Sequence, residues 1–437
     1  MPKFEIKKIK ARWVLDSRGF PTVEADVWLD ERILGRAMVP SGASTGINEA
    51  IELRDGNHAF GGRHVTKAVK NVNTKISSAL LNMNAIDQAS IDTKMIELDN
   101  TPNKSNLGAN AILSVSWAVA KAAAAAKGVP LYQHIATLAG RPPTRFIMPL
   151  PMCNVINAGK HGVGPIAVQE FMLQPFGASY FTEGIQWISE IYHILKRLLK
   201  KTFGEHTTLV GDEGGFSGIE GDVRDALNIL SKAVEEAGYQ IGSEITFALD
   251  PAASEFFNEK TSTYFIDGKN LTGDELMDFW AQLVKEYPIT SIEDGFAQDD
   301  WDIWAVFTKK HGDKLQIVGD DAYVTNKTRI ECAIKHGVGN ALLLKCNQIG
   351  TLSEAIEAFN LERQAGNPTI VSHRSGETED TTISHLAVGL SSGQIKAGSV
   401  ARSDRNAKYN ELIRIEEELG DNGFYAGKEF RTSFLNI

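Results

Sequence analysis

Residues 317–345 read IVGDDAYVTNKTRIECAIKHGVGNALLLK, and the fold follows from this stretch. An apolar β-type run, Ile317-Val318-Gly319, ends on Asp320. A second, Ala341-Leu342-Leu343-Leu344, ends on Lys345. The interval between them is long enough for one helix and one return strand, as a right-handed β-α-β crossover requires. Working outward, Asp250 ends ALD, Glu293 ends SIE, and His373-Arg374 follow Ile370-Val371-Ser372. Gln169-Glu170 and Glu213 stand beside two further runs. Charged groups placed just past buried strands share one rim when the strands close into a barrel, and β/α barrels build their sites at that rim. The expected fold class is α/β. A TIM-like (β/α)8 barrel over residues 141–437, irregular in its first elements around NVINAGKHG, follows a smaller N-terminal α+β domain over 1–140. Arg141-Pro142-Pro143 marks the expected boundary.

The N-terminal part reads as three strands within residues 3–39, a small-residue loop SGASTG (Ser41 to Gly46), and a helical pattern from Glu49 to Lys127 that stops at Gly128. In the barrel part, Val223, Leu227, Leu230 and Val234 share one helical face. Thr272-x-x-Glu275 and Thr351-x-x-Glu354 are expected capping boxes. At 437 residues, 43% hydrophobic and 23% charged, the chain has an ordinary globular composition. A net charge of −10 argues against a nucleic-acid surface, though not against an anionic substrate, because a bound metal inverts the local field. Three widely spaced cysteines fit neither a disulfide framework nor a zinc site. MPKFEIKKIK has no apolar core of the signal-peptide kind, and Lys121 breaks the longest small-residue run. A cytoplasmic protein without membrane insertion is expected.

The chemistry concentrates at the strand ends. Asp250, Glu293 and Asp320 close three successive strands; three bare carboxylates converging there repel, and a hard divalent cation such as Mg²⁺ relieves that cost. Each acid alone reads equally well as a surface residue or a helix N-cap. Lys345 reads as a base with a pKa lowered by the cation, or as a side chain reaching solvent past the strand. Lys396 in GQIKAG is a second lysine of this kind, better suited to a retained charge. Arg374 and Ser375 suit a phosphate or carboxylate. Glu170 and Glu213 are acid/base candidates, the latter among glycines that permit close approach of a ligand. His161, alone in a glycine-rich turn, is more often structural and ranks below them.

With those residues in view the chain resembles the enolase family along essentially its whole length. The resemblance runs through LDSRGFPTVEADV, SGASTGINEAIELRD, NVINAGKHG, QEFM, GDEGGF, ALDPAASEF, SIEDGF, VGDD, LLLKCNQIGT, SHRSGETEDT, GQIKAG and RSDRNAKYN. It implies a glycolytic and gluconeogenic lyase that dehydrates 2-phosphoglycerate to phosphoenolpyruvate with two Mg²⁺ ions per site, in a homodimer or larger homo-oligomer. It further implies that Asp250, Glu293 and Asp320 hold the first ion and that Ser41 helps hold the second. Lys345 is then the base and Glu213 the acid with Glu170 as partner. Arg374 and Ser375 hold phosphate, Lys396 the substrate carboxylate, and His161, Gln169 and His373 line the pocket. Phe20, Ala158, Gly162, Pro251, Cys346 and Ser384-His385 depart from the usual family residues, none at a catalytic or metal position. An acid-sugar dehydratase or racemase of the wider superfamily is the alternative enzyme, but it has no use for a phosphate clamp. A second, non-enzymatic role is compatible with the same sequence.

Overall fold

The computed structural model describes residues 4–42, 46–142 and 144–436. Ala43 to Thr45 of the SGASTG loop and Pro143 of the expected boundary lie outside the described residues. Strands β1 (Lys8–Leu15), β2 (Pro21–Trp28) and β3 (Leu34–Met38) form an antiparallel sheet in that order. The helix Ala109–Lys127 packs beneath it, closely enough that a Cβ at Gly35 would lie 2.0 Å from the Ala118 carbonyl oxygen. This helix is long and apolar enough to span a bilayer by length and composition, yet it is 89% buried inside the protein. It ends as expected at Gly128, in the left-handed conformation of a helix terminus.

Before Thr66 the helical pattern expected from Glu49 is reduced to one 3-10 turn, Ala59–Gly62. Residues 51–65 otherwise run irregularly, with Ile51 N–H bonded to the Asn103 carbonyl and Asp55 N–H to that of His64. Polar capping overrides periodicity here: the Asp55 carboxylate accepts from the N–H groups of Thr66 and Lys67 and so opens the helix Thr66–Asn71.

Eight strands close the barrel: β4 (Leu150–Asn157), β5 (Glu170–Gln174), β6 (Thr246–Asp250), β7 (Ile289–Glu293), β8 (Gln316–Gly319), β9 (Ala341–Leu344), β10 (Thr369–Ser372) and β11 (Gly393–Lys396). Seven run parallel; β5 runs against both of its neighbours. The irregular start expected from sequence is therefore a reversed strand. Period-two alternation sorts each strand into layers. Gln174, Ser291, Gln316 and Gln394 floor the barrel, where Gln316 and Gln394 exchange amide bonds at 2.9 Å. Met152, Met172, Ala248, Val318, Ala341, Leu343 and Ile370 fill the middle. Two residues further toward the mouth, the same inward face carries charge. Leu342, Leu344, Leu249 and Val371, one position out of phase, pack against the surrounding helices. Val223, Leu227, Leu230 and Val234 are all buried on the helix Val223–Glu236, as their spacing predicts. Thr272 makes the full capping box, whereas Thr351 makes only its half, accepting from Glu354 N–H.

Candidate active site

Lys396, the last residue of β11, is 2% exposed. Its Nζ donates to Asp250 Oδ2 at 2.9 Å and to both Glu293 oxygens at 3.0 Å, and lies 2.9 Å from Glu170 Oε2. Burial lowers a lysine pKa, but Asp250, Glu170 and Glu293 outweigh it and hold Lys396 well above its usual value. Lys345, just past β9, donates to Asp320 Oδ2, while Gln348 Nε2 donates to Asp320 Oδ1 at 2.8 Å. Here too burial lowers, Asp320 raises, and the net direction for Lys345 is up. The expected lowered Lys345 rests on a cation beside it; the protein groups alone act with the opposite sign.

The other expected residues meet at the same mouth. His161, in the turn Gly159–His161, places Nδ1 3.1 Å from Glu170 and 3.4 Å from Glu213, and Nε2 3.1 Å from Ser375 Oγ. Glu213 accepts from Asn154 Nδ2 at 2.9 Å and from Ser375 Oγ at 3.2 Å. Arg405, which can only donate, bonds His373 Nδ1; the remaining proton of a neutral His373 is then on Nε2, 3.5 Å from Glu213. Burial and then Glu213 push Glu170 up. Burial acts likewise on Glu213, but His161, His373 and Arg405 pull it well below the usual carboxylate range. His161, which burial alone would lower, is carried up to about 10 by Glu213 and Glu170. His373 is held well below its ordinary value, by burial first. Between the two glutamates, protein groups favour a proton on Glu170 rather than on the expected acid Glu213.

Two expectations change. Glu170 opens β5 instead of following a strand; because β5 is reversed, it still reaches the mouth. The glycines around Glu213 make room for protein, not ligand: a Cβ at Gly214 would meet Ala401 O at 2.6 Å, and one at Gly215 would meet Asn157 Oδ1 at 2.5 Å. Ser41 stands against Glu52 and Arg54. Its hydroxyl donates to Glu52 at 3.0 Å and accepts from Arg54 at 2.9 Å, and its backbone pairs with Gly376. The other hydroxyls of that loop, Ser44 and Thr45, lie outside the described residues. Gln169 lines the cleft, with its backbone N–H on the Asp250 carbonyl.

The oxygen-rich lining suits a hard cation. Glu170, Glu213, Asp250, Asp294, Asp320 and Asp321 outnumber Lys345, Arg374 and Lys396 around the cleft. Burial and then Asp250 raise Glu293 well above the usual range; burial and then Asp321 and Asp320 do the same to Asp294. Asp321 is pushed up to about 7 by burial and then Asp320. Acids thus exceed cations at the mouth, and oxygen ligands of this kind fit a divalent ion. Asp294, Asp320 and Asp321 offer oxygens within 4.8 Å of one another, as do His161, Glu170 and Glu213 with one atom each. The expected trio is divided, Asp250 and Glu293 meeting at Lys396 and Asp320 at Lys345.

Asp294, Asp321, Asn154, Gln348, Arg405 and Glu49 were not singled out from sequence. Asp294 and Asp321 directly follow expected ligands, and Asn154 holds an inward position two residues above Met152. Arg405, Gln348 and Glu49 fall within RSDRNAKYN, LLLKCNQIGT and SGASTGINEAIELRD but end no apolar run.

The chain matches a family model described as "Enolase, N-terminal domain" over residues 6–135 and one described as "Enolase, C-terminal TIM barrel domain" over residues 145–434. It is 55% identical over 432 residues to a protein named Enolase from Thermococcus gammatolerans, with 99% of each chain covered. Enolases of Thermococcus kodakarensis and Pyrococcus furiosus are 54% and 52% identical over the same length and coverage. Such relatives imply a small-molecule substrate and a metal cofactor. The barrel, the acid-and-lysine mouth and the full-length identity all lead to one assignment: the chain belongs to the enolase family, the glycolytic hydro-lyases that interconvert 2-phosphoglycerate and phosphoenolpyruvate.

Proposed function

We propose that the mouth of the barrel performs this reaction with two Mg²⁺ ions and with residue roles as follows. Lys345 takes the proton from C2 of 2-phosphoglycerate, which lies next to a carboxylate already charged. Lys396, fixed in its protonated form, stands against the second negative charge that develops on that carboxylate. Glu213, with Glu170 as its partner, delivers a proton to the departing 3-hydroxyl; the proton shared among Glu170, His161 and Glu213 is the source. Arg374 and Ser375 hold the phosphate, so that both proton transfers act on one geometry. His161, Gln169 and His373 line the pocket. Asp250, Glu293 and Asp320 hold the first ion, and Asp294 and Asp321 extend that oxygen set. Ser41, whose hydroxyl bonds Glu52 and Arg54, helps hold the second ion. Bound Mg²⁺ supplies Lewis-acid stabilisation of the substrate carboxylate. That a lysine base works beside such ions in this superfamily is established chemistry rather than a deduction from this geometry.

The observation that carries the reading is the single buried cluster joining Lys396 to Asp250, Glu293 and Glu170 beside the Lys345–Asp320 pair. The test follows the ultraviolet absorbance of an enol phosphate as 2-phosphoglycerate is added, with and without Mg²⁺. A rise only with metal is expected; no rise under either condition removes the substrate assignment. We further propose a division near residue 140, a homodimer or larger homo-oligomer, and a cytoplasmic setting. The family models, which stop at 135 and resume at 145, support the first of these.

A further inference from the structure

Glu49 has no part in the reaction just described, yet it sits at the centre of the groups that do. It lies just after the SGASTG loop, 8% exposed, and its carboxylate takes the end of the Arg374 guanidinium in a two-point contact. NH1 donates to Oε2 and NH2 to Oε1, each at 3.1 Å, and Asn347 Oδ1 accepts from NH1 at 2.9 Å. Glu49 Oε1 also accepts from Gly46 N–H at 3.1 Å and from Gln348 Nε2 at 3.3 Å. Gln348 is the same side chain that donates to Asp320 Oδ1. One buried carboxylate of the N-terminal part thus ties the end of the small-residue loop, the anion-binding arginine and, through Gln348, an expected metal ligand.

A two-point carboxylate contact fixes both the plane and the rotation of a guanidinium, which otherwise turns about several side-chain bonds. We propose that Glu49 is a positioning residue for phosphate recognition: it sets the orientation in which Arg374 meets the substrate phosphate and links that orientation to Gly46. This rests on the reading of Arg374 as the phosphate holder. An acid facing a phosphate-binding arginine also suggests the opposite role, a competitor that an incoming phosphate must displace. The two differ in sign: losing a positioning acid weakens anion binding, and losing a competitor strengthens it.

The test is calorimetric titration of the Mg²⁺-loaded enzyme with inorganic phosphate, together with KM and kcat for 2-phosphoglycerate, in wild type, Glu49→Gln, Glu49→Asp and Arg374→Lys. Glu49→Gln is expected to weaken phosphate binding and raise KM by about tenfold, the worth of a hydrogen bond to a charged group, with a smaller change in kcat. Glu49→Asp, which keeps the charge one methylene short, falls between wild type and Glu49→Gln. Should Glu49→Gln not fold, Glu49→Asp alone carries the comparison. Phosphate affinity unchanged or increased in the Glu49 variants, while Arg374→Lys weakens it, overturns the proposal for Glu49. Unchanged affinity in Arg374→Lys overturns the phosphate assignment of Arg374 itself.

Discussion

At the scale of single residues, the side chains at the mouth were legible and their partnerships were not. Asp250, Glu293, Lys345 and Lys396 announce themselves as charges at the ends of apolar runs, where burial demands a partner or a task. Which acid meets which lysine depends on strand order and tilt, and neither is encoded in the residues flanking a given position. The same gap explains the pKa directions. Glu213 stands low because His161, His373 and Arg405 converge on it from three separate segments. Lys345→Ala is expected to reduce kcat by about 10²–10⁴-fold or more while metal binding persists, as checked by steady-state turnover alongside Mg²⁺ titration. Retained turnover removes the lysine from its role. Glu293→Gln withdraws one charge from the proposed ligand set and should move the Mg²⁺ dependence of activity to higher concentration; an unchanged titration contradicts that proposed place.

Among the elements, strand positions were readable but strand direction was not, because a period-two pattern carries no sense of direction. The layers do carry one. In β6 the inward residues run Thr246, Ala248, Asp250, from floor to mouth; in β5 they run Glu170, Met172, Gln174, from mouth to floor. That inverted order is the signal by which sequence reasoning could have found the reversal. The helices also differ in how they are anchored. Asp92, on the helix Gln88–Asp99, accepts from Ser353 N–H at 3.0 Å and Ser353 Oγ at 2.6 Å, at the start of the barrel helix Leu352–Ala365. Gln88 Nε2 also donates to it at 3.1 Å, and burial, outweighing these hydrogen bonds, pushes Asp92 up to about 6. An acid raised in the folded state binds its proton more tightly there than in the unfolded chain, so its contribution to stability is full below about pH 4 and declines as pH rises to about 6. Thermal unfolding of Asp92→Asn against wild type should therefore show a difference that shifts in the variant's favour between those limits. The expected size is on the order of 2–3 kcal/mol. A pH-independent difference would mean that Asp92 is not protonated in the fold.

For the molecule as a whole, the N-terminal part and the barrel meet through buried polar contacts close to the site. Lys121 Nζ pairs with Asp380 at 2.7 Å, and the same Asp380 oxygen accepts from Met38 N–H at 3.0 Å. Ser17 N–H reaches the Glu377 carbonyl at 2.7 Å. Lys121→Ala leaves Asp380 buried without its cation, and should lower the unfolding midpoint by an amount equivalent to about 2 kcal/mol. No loss in thermal denaturation would show that solvent replaces the lysine. Chelation of divalent cations should lower the midpoint as well, and added Mg²⁺ should restore it, because an ion held by the assembled acids as proposed has no such site in the unfolded chain. A midpoint indifferent to both would argue against a metal among these carboxylates.

The reversed strand has a consequence for how this scaffold can change. A normal β/α unit leaves the mouth through a loop that must lead into a helix, so lengthening that loop risks moving the helix. Between β4 and β5 the chain instead turns back on itself at the mouth, and residues 158–169, with His161 among them, form the tip of a hairpin. Added residues at such a tip displace no helix. Pocket width on the His161 side can therefore change through insertion or deletion without a helix having to move.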